Sequence, residues 1–209
     1  MRLPVNSGWL LVLPFLLLVG GLFLGPILNV LWISVSDPTP GLGNYAQLGS
    51  SDTLRRILWT TFRVCAICTA FSVILGYSIA YAMVHATGPA QSRMLGLLLV
   101  SFWISVLVRT FSWLMLLGRN GVVNSTLDAL GIISAPIPFM RNELGVLIGM
   151  VHYMVPYAVL PIFAAMQSID GRVVQASRSL GATGAQTFWR VYLPLTKPGV
   201  VAASLVVFL

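Results

Sequence analysis

Residues 144–166 read LGVLIGMVHYMVPYAVLPIFAAM and contain no Asp, Glu, Lys or Arg. A helix needs about 20 apolar residues to cross the hydrocarbon core of a bilayer. The apolar character of this stretch is continuous, whereas a strand of a membrane barrel alternates apolar and polar residues. Residues 144–166 therefore predict a membrane-spanning helix.

The composition of the whole chain agrees with this prediction. Of its 209 residues, 57% are hydrophobic and 8% are charged, and the mean hydropathy is +0.91. A soluble domain carries about 25% charged residues, so most of this chain is expected to lie in a lipid bilayer. The net charge is +7, and its basic residues stand mostly between apolar runs. This pattern is typical of membrane topology, and we expect no nucleic-acid partner.

The predicted fold class is an all-α membrane protein, a polytopic helical bundle with about five spans. The first apolar run is too long for the apolar region of a signal peptide, so we expect it to be retained. The last has only about half the length needed to cross, so we expect it to be incomplete at Leu209. All runs are assigned to a single transmembrane domain over 1–209. The predicted spans lie near 9–35, 62–84, 94–117, 144–166 and 199–209.

The distribution of basic residues predicts that the N-terminus lies inside the cell, because inside loops carry an excess of Lys and Arg. The outside loops balance four arginines, Arg55, Arg56, Arg119 and Arg141, with four acids, Asp37, Asp52, Asp128 and Glu143. The inside segments oppose six basic residues with Asp170 alone. These six are Arg2, Arg93, Arg172, Arg178, Arg190 and Lys197.

One long polar loop, 167–198, is predicted on the inside and has an internal order of its own. Asp170 can cap a short helix that Gly181 ends in the left-handed conformation. Thr183 and Gln186 form a capping-box pattern that opens a second helix through Leu193. Pro194 is expected to stop this second helix. From the residues alone, the loop is either an amphipathic segment on the inner leaflet or a docking element for a cytoplasmic partner.

Two stretches of this loop carry a family resemblance. Residues 175–182 read QASRSLGA, and residues 187–199 read TFWRVYLPLTKPG. They resemble the Glu-Ala-Ala loop of the permease subunits of binding-protein-dependent ATP-binding-cassette (ABC) importers. Two positions depart from the family pattern: Gln175 stands where Glu is usual, and Ser177 replaces an Ala.

Upstream segments resemble the spermidine/putrescine branch of this family. They read LGYSIAY at 75–81, WISVLVRTFSW at 103–113, NGVVN at 120–124 and HYMVPYAVLP at 152–161. The resemblance covers the chain from about Asn44 to its end. It implies one permease domain in the inner membrane of a bacterium, with 167–198 as a cytoplasmic coupling loop.

The resemblance also implies a function and partners. The chain is expected to form part of the translocation path of an ABC importer for polyamines or a similar small organic solute. Its partners would be an ABC ATPase subunit, a second permease subunit in a homo- or heterodimer, and an extracytoplasmic solute-binding protein. Family members normally have about six spans, so a truncated, inactive permease fragment is one alternative. A permease for amino-acid derivatives or ferric iron is another.

The residues implied in coupling to the ATPase lie in and after the polar loop. They are Val173, Val174, Gln175, Ala176, Ser177, Leu180, Gly181, Ala182, Phe188, Pro194, Pro198 and Gly199.

Four residues are candidates for the translocation path: Arg109, Trp113, Asn124 and His152. An arginine inside a span costs about 2.5–3.5 kcal/mol on insertion scales, which makes Arg109 a functional candidate by default. The alternatives for Arg109 are a structural pair or a side chain that reaches the outer interface. His152 has no membrane carboxylate near it in sequence, which favours a satisfied histidine over a proton relay.

Nothing in the sequence indicates an enzyme. A phosphate-binding loop requires Gly-xxxx-Gly-Lys-Ser/Thr, and Lys197, the single lysine, is followed by Pro198. Zinc-hydrolase and serine-hydrolase motifs are also absent from the sequence. Cys65 and Cys68 are expected to serve in helix packing. We therefore expect no catalytic residue, no metal and no cofactor, with ATP hydrolysis in a separate subunit.

Overall fold

The computed structural model describes residues 8–37, 40–140 and 142–209, except the side chains of 8–11 and Leu48. Arg2 and Arg141, which enter the charge count, lie outside these residues. Every regular element described is a helix, which confirms the all-α prediction. The elements are α1 (Gly8–Ser36), α2 (Gly43–Ser50), α3 (Asp52–His85), α4 (Gly88–Trp103), α5 (Val106–Leu117), α6 (Val122–Ala129), α7 (Glu143–Gln167), α8 (Gly171–Ser179), α9 (Gly184–Thr187), a π-helical turn (Phe188–Tyr192) and α10 (Leu193–Phe208).

Four helical runs among the described residues are long and apolar enough to cross a membrane. A fifth is present if α4 and the helices after it form one broken span. The polytopic bundle with about five spans is therefore confirmed. The four continuous runs are Val12–Ser36, Asp52–His85, Glu143–Gln167 and Gly184–Phe208.

The predicted span over 94–117 is not one continuous helix. Helix α4 ends at Trp103, and the backbone of Ile104 and Ser105 is extended, with ψ values of 122° and 137°. The helical segments on the two sides are bent by 96° relative to each other. Hydropathy measures how favourably residues enter lipid and carries no information on helix continuity. The break could therefore not be recognised from the apolar run.

The helix that contains the predicted last span, 199–209, begins well before Gly199. The helical run begins at Gly184 and contains 25 residues. Pro194 does not stop it, because Pro194 lies in the first turn of α10, where a missing N–H group is tolerated. The π-helical turn joins α9 to α10, and the N–H of Leu193 donates to the carbonyl of Phe188 five residues earlier.

The chain divides into two units, with a boundary between Thr60 and Thr61. In the first unit, α2 folds back on the end of α1. The Ser34 and Tyr45 hydroxyls lie 2.8 Å apart, and the Asn44 amide donates to the carbonyls of Ser34 and Asp37. The single domain over 1–209 stays a prediction.

The core of the second unit lies where α10 and α3 pack against α7. Small residues allow the helices to approach closely. A Cβ on Gly76 would lie 2.8 Å from the Cβ of Ala158, and one on Gly199 would lie 2.8 Å from the Pro161 carbonyl and against Ala165. Around these contacts are the buried residues Ala80, Met83, Val159, Ile162, Met166, Ala203 and Val207.

We predict opposite effects for two glycine-to-alanine substitutions. Gly199→Ala forces α10 away from α7 and should lower the free energy of unfolding by about 1–3 kcal/mol. Gly96→Ala, in α4, meets no atom within 4 Å. It should raise that free energy by up to about 1 kcal/mol through helix propensity. Thermal unfolding of both variants in detergent micelles measures the difference, and equal effects would contradict the close packing.

Candidate functional site

The polar loop contains the helix α8, which has an N-terminal cap, and the capped N-terminus of a second helix, α9. The Asp170 carboxylate accepts from the N–H of Arg172 at 2.9 Å and begins α8. Gly181 follows the end of α8 with a φ of +83°, which favours glycine. Thr183 and Gln186 form the reciprocal capping box that opens α9. These three local predictions are confirmed.

Helix α8 presents different residues outward and inward. Leu180 is 89% exposed and Val173 is 44% exposed, so both are available to a partner. Val174 packs against the core, and the Ser177 hydroxyl lies 2.9 Å from that of the buried Thr187. Ser177 therefore points toward the protein together with Val174, whereas Val173 and Leu180 point away from it.

The other predicted coupling residues divide in the same way. Gln175, Ala176, Gly181, Pro194 and Pro198 are exposed, Ala182 and Phe188 are half-buried, and Gly199 is buried.

Arg109 lies in the first turns of α5 and reaches back across the helix break. Its Nη2 donates to the carbonyl of Ser101, in the last turn of α4. That carbonyl is one of four that a helix end leaves without an intrahelical partner. The guanidinium carbon also lies 5.1 Å from the centre of the Tyr153 ring in α7. Arg109 therefore joins both sides of the break to α7.

Trp113 and His152 form a second contact between α5 and α7. The indole Nε1 of Trp113 donates to His152 Nδ1 at 3.4 Å, and the ring centres are 5.3 Å apart. Because an indole N–H can only donate, Nδ1 of this histidine is an acceptor in the contact. His152 thus has a partner, although its side chain is exposed in the single chain.

Two cavities meet at these side chains. One of about 380 Å³ is lined by Arg109, Trp113 and Tyr153 among others. The other, of about 550 Å³, is lined by Trp113, His152 and Phe71 among others. Trp113 borders both cavities, so the structure brings three of the four predicted path residues together at one boundary.

Asn124 is not part of this group. Its side chain is 2% exposed. It donates to the carbonyls of Gly118 and Ile137 at 3.0 Å and accepts from the N–H of Ile137 at 2.9 Å. These three bonds fix the segment after α6, and both N–H groups of the amide are used. Asn124 thus acts on the backbone around it.

Sequence reasoning missed Ser101 and Tyr153. Tyr153 directly follows His152, but an aromatic residue inside a span is too common to be a signal. Ser101 could not be found, because its carbonyl becomes a partner for Arg109 only through the break. Among the described residues, no group of three His, Cys, Asp or Glu side chains could hold a metal ion.

We predict that Asn124→Ala destabilises the segment 131–139. The substitution leaves the polar groups of Ile137 without their side-chain partner, which should cost about 1–3 kcal/mol. Thr126→Ala is the matched control, since its exposed hydroxyl donates only within its own helix, to Val122. Limited proteolysis and thermal unfolding in detergent should show faster cleavage for Asn124→Ala alone. Equal cleavage of both variants would contradict this role.

A family model described as the inner membrane component of binding-protein-dependent transport systems matches residues 72–209. The spermidine/putrescine transport system permease protein PotB of Haemophilus influenzae is 35% identical over 166 residues, which cover 79% of this chain and 58% of that protein. PotB of Escherichia coli K12 is 34% identical over 169 residues, which cover 80% of this chain and 61% of that protein.

A solved structure shows the same fold. It is the crystal structure of a bacterial ABC transporter involved in the import of the acidic polysaccharide alginate. One of its chains superposes with a TM-score of 0.77 at 17% identity, covering 97% of this chain and 73% of that chain. The chain studied here spans about three fifths of the length of the two PotB relatives, as the 58% and 61% coverage gives.

Proposed function

Because the chain belongs to the family of binding-protein-dependent transport system inner membrane components, we propose that it acts as a permease subunit of an ABC importer. One observation carries the proposal beyond family membership. The exposed helix α8 is followed within a few residues by the capped start of the helical run Gly184–Phe208, which is long and apolar enough to cross a membrane. A partner bound to α8 would therefore act directly on a membrane helix.

The partner we propose for α8 is the ATPase subunit. Leu180 and Val173 project from a short helix, as expected for a helix that is laid into a groove. Val174 of the same helix packs against the core of this chain, which leaves α8 a narrow apolar surface. A helix that lies on the inner leaflet needs a broad apolar face, so this arrangement favours a protein groove.

The proposed solute is a polyamine, in keeping with the names of the PotB relatives. Arg109 would repel a cationic solute if its charge were free. Its guanidinium instead contacts a carbonyl at the negative end of α4 and the face of the Tyr153 ring. Both contacts offset positive charge, so Arg109 is compatible with a cationic solute nearby.

The rest of the assembly follows from the same proposal. The chain would lie in a bacterial inner membrane with its N-terminus inside, beside a second permease subunit, and receive solute from an extracytoplasmic binding protein. ATP-driven closure of the ATPase pair would displace α8 and switch the path between inward-open and outward-open states. The boundary formed by Arg109, Trp113 and His152 would be part of that path.

We predict that Leu180→Asp releases the ATPase. Burying a carboxylate in an apolar groove should reduce the ATPase that co-purifies with the tagged chain at least about tenfold. Leu130→Asp is a matched control, because Leu130 is a similarly exposed leucine that ends a helix and precedes a glycine of positive φ. The control should retain the ATPase, and membrane insertion should be unchanged in both variants. Equal retention by both variants would assign α8 to the leaflet.

We predict that the complete transporter takes up spermidine and putrescine. Membrane vesicles that contain the chain, its ATPase, the second permease subunit and the binding protein should accumulate radiolabelled spermidine when ATP is supplied. An excess of unlabelled putrescine should reduce this uptake. Uptake of an amino-acid derivative or of ferric iron without spermidine uptake would change the proposed solute. Absence of uptake for every solute would favour an inactive fragment.

A further inference from the structure

Five ring side chains connect the end of α3 to the turn that follows the polar loop. Tyr77, Tyr81 and His85 belong to α3, and Phe188 and Tyr192 belong to the π-helical turn; together they form the aromatic junction. Tyr81 is its centre. The Tyr81 ring centre lies 4.2 Å from that of His85, 5.8 Å from that of Phe188 and 5.6 Å from that of Tyr192, and Tyr77 lies 6.1 Å from Phe188.

A buried hydrogen bond strengthens the same connection. The Thr196 hydroxyl donates to the carbonyl of Leu193 at 2.9 Å. Its oxygen therefore accepts from the hydroxyl of Tyr77, 3.2 Å away. Thr196 has no exposed surface. This bond ties α3 to the first turns of α10.

Helix α8 is tied to the junction from its other side. The Ser177 hydroxyl contacts that of Thr187, the residue directly before Phe188. Thr187 is 3% exposed, so its contact is held inside the protein. A displacement of α8 would therefore reach Thr187 and the adjacent Phe188, and through the Phe188 ring it would reach α3.

The turn that carries Phe188 and Tyr192 is itself unusual. A π-helical turn is rare and occurs frequently at functional sites. Here it places both rings against α3, with their centres 6.2 Å apart and their planes 20° from parallel. Among the described residues the Tyr192 hydroxyl finds no hydrogen-bond partner, although it is buried. A buried hydroxyl without a partner raises the free energy of this conformation. Tyr192 would therefore gain a hydrogen bond in a second conformation in which its hydroxyl meets a partner.

We propose that the aromatic junction transfers displacement of α8 to α3, so that Tyr77, Tyr81, Phe188 and Tyr192 are positioning residues for transport. The inference rests on the proposed function. Helix α10 follows the loop through continuous backbone, whereas α3 is separated from α8 by residues 86–170 and meets the loop through side chains. Losing the junction would leave ATP hydrolysis intact and separate it from movement of α3.

The first experiment tests the link without any partner. Hydrogen exchange is measured on the full chain in lipid nanodiscs for Tyr81→Leu, Tyr81→Phe and the control Phe111→Leu, an exposed aromatic residue of α5. Tyr81→Leu should speed exchange in 184–192 about tenfold, because ring pairs contribute to local stability. Tyr81→Phe keeps the ring and should leave exchange unchanged, as should the control. Unchanged exchange in Tyr81→Leu would overturn the inference.

The second experiment tests transfer of movement. The complete transporter is reconstituted in liposomes, and spermidine uptake is divided by ATP hydrolysed. Tyr81→Leu should retain ATPase binding but lose at least about fivefold in this ratio, and Tyr81→Phe should restore it. A parallel loss of uptake and hydrolysis would assign the junction to folding alone and overturn the inference. A wild-type chain that binds no ATPase overturns the proposed function, and the exchange result then decides separately whether the link exists.

Discussion

The structure depends on one constraint: a backbone polar group in lipid must find its partner within the protein. The constraint explains two places where the described helices depart from regular geometry. At Ile104 and Ser105 the chain leaves the helix, and Arg109 supplies a donor to the Ser101 carbonyl. Before Pro194 the chain changes to π-helical bonding, so the N–H of Leu193 pairs with Phe188 and the helix continues. The Arg109 side chain and the π-helical turn thus each complete a backbone hydrogen bond.

The sequence predicted the parts of the fold that depend on local chemistry. Residues 144–166 became α7 almost to the residue, because continuous apolar character and the cap at Asn142 act on the same segment. The caps at Asp170 and Thr183 and the left-handed Gly181 followed from side chains within a few residues. The break in 94–117 could not be predicted, since neither Ile104 nor Ser105 is a helix breaker and the apolar run passes through them. Pro194 was predicted to end a helix, but it lies in the first turn of α10. The effect of a proline depends on its position relative to the start of the helix.

The sequence predicted several residues of the candidate site but not the contacts between them. Arg109 and His152 stood out because charged and titratable groups are costly in spans. Their partners, Ser101 and Trp113, are brought close by the bend and by the packing of α5 on α7, and neither fact is visible in a hydropathy pattern. Asn124 was a candidate because it lies in a segment that resembles the family. In the structure its side chain forms hydrogen bonds with backbone groups. The inward position of Ser177 depends on Thr187, ten residues away, whose hydroxyl it contacts.

The broken helix also affects the lipid around the protein. Helix α4 has 16 residues and α5 has 12. At 1.5 Å per residue they are about 24 Å and 18 Å long, and each is shorter than the roughly 30 Å hydrocarbon core. Hydrophobic mismatch is therefore expected beside α4 and α5, whereas the 25 residues of α7 are long enough to span the core. A bilayer that thins beside α4 and α5 relieves this mismatch, so acyl-chain length becomes a variable to which the bend responds.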